Sequence, residues 1–64
     1  MKQRTERGQT FFQVRNAKID GCVVQCSVNH FGSIENARLV AECLADELRR
    51  GAHIDEVRAM KDCA

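Results

Sequence analysis

Six side chains of this 64-residue chain could ligate a metal or act as nucleophile or base: Cys22, Cys26, Cys43, Cys63, His30 and His53. Cys22-x-x-x-Cys26 has the paper spacing of a zinc half-site. On a straight strand, however, residues four apart stand ~13 Å apart at about 3.3 Å per residue. Two sulfurs so placed cannot share one ion, nor form a disulfide; a bulge would rescue the metal geometry, but the alternation shows no sign of one. Unpaired cysteine is among the most buried residue types, so these thiols read as core residues. His30 close to Cys26 or Cys43 would have the composition of a thiol–imidazole pair. No orienting group or oxyanion loop accompanies it, and both histidines fall at element ends, where capping or solvation is the ordinary role. Gly32-Ser33 at a helix start is a weak anion site that any capped helix shares. The expectation is a chain with no catalytic residue, no metal ligand and no cofactor.

The elements that carry these residues centre on positions 22–51. Cys22, Val24, Cys26 and Val28 alternate with Val23, Gln25, Ser27 and Asn29, which predicts a strand with one dry and one wet face. After Phe31-Gly32 the period changes. Ile34, Ala37, Val40, Ala41, Leu44 and Leu48 form one helical stripe. Ser33 is the predicted N-cap, Glu35 complements the helix dipole, and Gly51 is a C-terminal stop behind Arg49 and Arg50. Arg38 with Glu42, and Asp46 with Arg50, are spaced for ion pairs on the exposed side. A second, short helix is predicted over 54–62, with Ile54, Val57 and Met60 on one side.

Upstream, residues 10–18 have the Phe and Val content of a strand. A three-residue loop, Ile19-Asp20-Gly21, sets Lys18 opposite Cys22, Val14 opposite Cys26 and Phe12 opposite Val28, all on the dry face. A one-residue slip would exchange the faces, so burial selects this register. Residues 1–9 are polar with no hydrophobic period and read as a flexible arm. The predicted fold is α+β: a β-hairpin packed on a long amphipathic helix followed by a short one (ββαα), with 10–64 as a single domain. Its strands leave a face with Phe11, Gln13 and Arg15 beside Val23 and Gln25 that no later element covers.

Size and charge bound the function. A domain this small buries only ~60% of its unfolded surface, and the chain has three Phe and no Trp or Tyr. Such scaffolds usually lean on a disulfide, a metal or a partner. The net charge of +1 marks the chain as neither a nucleic-acid binder nor a mimic by composition. No long apolar run suggests a membrane span, the polar start lacks the pattern of a signal peptide, and free thiols fit a reducing, cytoplasmic setting.

From its strand ending in Val28-Asn29, through the Gly32-Ser33 helix start and the Arg49-Arg50-Gly51 turn to the short last helix, the second half resembles the small TSCPD-type domain. That domain occurs at the C-terminus of some ribonucleotide reductases and as stand-alone proteins. The Thr-Ser-Cys-Pro-Asp signature itself is absent, so the resemblance implies elements and carries over no functional residue. The stretch HFGSIENA after a strand is also similar to the hairpin-plus-helix DNA-binding modules of phage integrases and plant transcription factors, which read DNA through a three-stranded sheet.

The expected function is a small non-enzymatic interaction module, an adaptor or inhibitor of the kind phages encode, docking on a larger protein through Phe11, Gln13, Arg15, Val23 and Gln25. The alternative is nucleic-acid binding by the same face with Arg4, Arg7 and Lys18 on phosphates. A homodimer is expected too, by pairing strand 22–30 or strand 10–18 with its copy, with Phe11, Val23, Leu39 or Cys43 near the contact.

Overall fold

A computed structural model describes residues 2–16 and 21–63, and the fold is α+β. Three strands, β1 (Lys2–Glu6), β2 (Gln9–Asn16) and β3 (Gly21–Ser27), form an antiparallel sheet in the order β1-β2-β3. A single helical turn, α1 (Val28–Phe31), leads into α2 (Ile34–Arg49) and then α3 (Ile54–Cys63). The core joins Phe12, Val14, Val24 and Cys26 of the sheet to Ala37, Ala41, Leu44 and Ala45 of α2 and Val57 of α3. Phe12, Val14, Cys26, Ala37, Ala41 and Val57 are each no more than 2% exposed.

The third strand is the main departure from the expected fold. Lys2–Glu6, read as part of a flexible arm, pairs regularly with β2, from Lys2 opposite Gln13 to Glu6 opposite Gln9. Arg7 and Gly8 join the strands with φ of 52° and 79°. Two successive positive φ values are the mark of a type I′ turn, whose twist suits a two-residue hairpin. Arg7 holds this conformation at a cost of roughly 1–2 kcal/mol for a residue with a Cβ. The helices pack on β2 and β3, whereas β1 touches β2 alone. All five of its residues are exposed.

The β2–β3 hairpin keeps the predicted dry face and corrects the register. Phe12 stands opposite Cys26 and Val14 opposite Val24, two residues away from the expected offset. The register then shifts between Val14 and Arg15, which lies opposite Cys22, so Val23 is the extra residue of a β-bulge. The bulge breaks the alternation. Val23 and Val24 are both buried, at 5% and 7% exposure. Val28 starts α1 instead of extending the strand, with Ser27 as N-cap. The expected Ile19-Asp20-Gly21 loop and Lys18 lie outside the described residues, apart from Gly21, which opens β3.

The long helix forms where its signals stand. Ser33 Oγ accepts from Asn36 N at 3.1 Å, and Gly51 takes φ 98°. Its N–H donates to Leu48 O while Ala52 N–H donates to Glu47 O, at 3.1 and 3.0 Å. This pair of bonds is a full Schellman motif. Among the described residues the expected Arg38–Glu42 pair does not form, and arginine pairs with a carboxylate at Arg49–Asp46, 2.6 Å, and Arg50–Glu47, 3.7 Å, both three apart and exposed. They replace the expected Asp46–Arg50 pair, since Arg49 reaches Asp46 first, and exposed pairs of this kind contribute ~0–1 kcal/mol. His53 Nδ1 accepts from Asp55 N at 3.2 Å and caps α3.

Candidate functional site

With α2 and α3 on one side, the sheet presents its other side uncovered, and β1 enlarges it. Cross-strand partners share a face, so the pairing arranges two rows: Lys2, Gln13 and Gln25, then Arg4, Phe11 and Ser27. Arg15 continues the middle strand. Of the residues expected to bind, Phe11, Gln13, Arg15, Gln25 and Arg4 come together here, and Arg7 sits in the turn at the end of the face. Arg15, Gln25, Arg4 and Arg7 are exposed, and Phe11 is half-buried. Val23 does not belong. The bulge turns it into the core, and its carbonyl accepts from Arg58 Nε of α3 at 3.0 Å. Lys18 lies outside the described residues.

Gln13 differs from the expectation in another way. It lies on the uncovered face, yet it is only 8% exposed. No helix covers it there, so the flanking side chains do. Its Nε2 donates to Gln25 Oε1 at 3.1 Å, and its own Oε1 has no partner. A buried amide acceptor without a bond costs roughly 1–3 kcal/mol.

The charge is unevenly divided. Residues 2–16 and 21–27 carry Lys2, Arg4, Arg7 and Arg15 against Glu6, while residues 28–63 carry seven carboxylates against five cations. The net +1 therefore conceals a cationic sheet and an anionic helical layer. Lys2, like Arg4, takes its place in a row only through its pairing in β1, which the reading of residues 1–9 as an arm did not foresee. The available signal was Arg7-Gly8 between two polar runs, a weak one without Asn or Asp.

The thiols do not assemble into a site. Cys26 is fully buried, Cys22 half-buried, and Cys43 and Cys63 are exposed. Among the described residues, no group of three or more His, Cys, Asp or Glu side chains is placed to hold a metal ion. Cys22 Sγ donates to Val24 O at 3.0 Å. His30 is exposed, with its ring edge-on to Phe31 at 4.8 Å. Burial pushes the Cys26 thiol above its ordinary 9.0; Lys61 opposes the shift and Cys22 adds to it. A thiol reagent at pH 8 should label Cys43 and Cys63 quickly. Cys26 should react on the order of a thousandfold more slowly, since its exposure requires opening against the equilibrium constants of 10³ or more of small domains. The same burial sets a pH slope. Its folded pKa lies above the unfolded one, so the stability it contributes is complete below about pH 9. That contribution is lost as pH rises from there through the raised value. Equal labelling of all four thiols in the native protein would contradict the burial.

Among the described residues, no helix is long and apolar enough to cross a membrane. No family model matches the chain, and neither does any curated protein or solved structure.

Proposed function

We propose that the protein is a non-enzymatic interaction module, of the adaptor or inhibitor kind, that docks the uncovered face of its sheet on an acidic surface of a larger protein. The supporting observation is the face itself, where Lys2, Arg4 and Arg15 surround Phe11 and the Gln13–Gln25 amide pair. Aromatic and arginine side chains are the residues that anchor interfaces. Complementary charge steers encounter and fixes orientation. The division of charge between sheet and helices favours a second reading, nucleic-acid binding, in which the same cations displace counterions from phosphates.

Capture from nuclease-treated and untreated lysate, with the wild type and a Phe11→Ala/Arg15→Glu variant, tests both readings. The first expects a stoichiometric protein that survives nuclease and is lost with the variant, whose affinity should drop at least about thirtyfold. The second expects capture that nuclease abolishes, and direct binding of oligonucleotides that weakens steeply with salt. Indifference of every captured species to the variant would remove the face from both.

A further inference from the structure

The sheet has two edges, and they are treated differently. At β3 the outer edge is guarded. Arg58 Nε donates to Val23 O at 3.0 Å, the bulge interrupts the ladder at that residue, and α3 packs alongside. These are devices by which proteins keep an edge from pairing. The edge of β1 has no such hydrogen bond, bulge or helix among the described residues; its short length and its charges Lys2, Arg4 and Glu6 guard it against partners that do not complement those charges. The strand is regular, fully exposed and in contact with β2 alone. The expected pairing of strand 10–18 with its copy is excluded, because β2 is interior.

We propose that β1 pairs with β1 of a second copy across a two-fold axis at Thr5, joining two sheets into one of six strands. The charges select both the occupant and the register. Lys2, Arg4 and Glu6 share one face of β1 and include both signs. In antiparallel pairing about a two-fold, residues of the same face meet. An axis at Gln3 sets Lys2 against Arg4 of the partner subunit. An axis at Arg4 sets Lys2 against Glu6 of the partner subunit twice, but it opposes the two arginines directly at its centre. An axis at Thr5 sets Arg4 against Glu6 of the partner subunit twice, with the two threonines opposed on the other face. Opposite charges and Thr–Thr pairs are favourable cross-strand neighbours, and like charges are not. The helices stand over β2 and β3, so they leave room beside β1 for the second copy. This contact uses the strand edge and engages Arg4 of the open face, so it is tested by self-association, a readout separate from ligand binding by that face.

Sedimentation equilibrium of the full chain at micromolar concentration and low salt tests the pairing. The wild type should show dimer mass. Arg4→Glu and Glu6→Arg should each raise the dissociation constant at least about tenfold, since each turns two opposed pairs into two repelling ones. An equimolar mixture of the two variants should recover the dimer, because each supplies the charge the other lost. The double variant Arg4→Glu/Glu6→Arg should dimerise as the wild type does. Both positions are exposed, and folding of each variant is checked by circular dichroism. A wild type that stays monomeric to hundreds of micromolar overturns the proposal. A dimer indifferent to Arg4→Glu, or single variants that do not rescue each other, overturns it equally.

Discussion

Phe12→Ala is expected to bring the protein close to unfolding at 25 °C. Phe12 is 2% exposed and lies in the core beneath α2. Truncating a buried Phe costs about 3–5 kcal/mol, from lost transfer energy and the cavity left behind. A 64-residue chain at about 0.05–0.15 kcal/mol per residue has only ~3–10 kcal/mol in total. The core has little with which to fill the hole, because its other members are small: Val14, Val23, Val24, Cys26, three alanines, Leu44 and Val57. Urea denaturation followed by circular dichroism should show the midpoint fall by about a third or more. A midpoint within a tenth of the wild-type value would mean that Phe12 does not hold the sheet to the helix.

Enlarging the opposite surface should also destabilise. Ala37 and Ala41 are both 0% exposed and lie four apart on the buried side of α2. Small side chains at this spacing let the helix approach the sheet closely, and interiors at crystal-like density have no slack to accept more atoms. Ala41→Leu is expected to cost about 1–3 kcal/mol despite the added apolar area. For a domain of this size each kcal/mol lowers the melting temperature by roughly 4–8 °C. Ala41→Ser, which adds little volume, separates crowding from polarity: it should cost less than the leucine. An Ala41→Leu protein that melts at or above the wild-type temperature would reveal unfilled space under α2.

These core positions were readable in the chain because burial leaves a period behind. Ala37, Ala41 and Leu44 recur on one helical stripe, and Ser33 and Gly51 bracket it with cap chemistry that needs no tertiary context. Phe12, Val14, Val24 and Cys26 likewise declare one face. Face and register are different quantities, however. A shift of two residues leaves every side chain on its own side, so burial could not separate the predicted offset from the observed one. The bulge was hidden for a related reason. Val23 and Val24 are both apolar, and a strand tolerates an apolar residue on either side. β1 left no period at all, since neither of its faces is dry. Only its pairing with β2 identifies it. Half of the binding face therefore depended on a strand that composition could not announce.

The attachment of β1 gives this face a time dependence. Elements with few buried contacts open at lower free energy than the core that supports them. β1 is anchored through β2 alone, and its connection runs through Arg7 in a left-handed conformation. Amide hydrogens of β1 should exchange by local detachment, well before those of Val14 or Cys26, which wait for global opening. Each detachment carries Lys2 and Arg4 away, while Phe11, Arg15 and Gln25 stay in place. A ligand that needs both rows meets a competent surface only for the fraction of time the strand is docked, and its apparent affinity is reduced by that fraction. Anything that holds β1 down, a second copy at its edge included, raises that fraction and tightens the binding without touching the ligand.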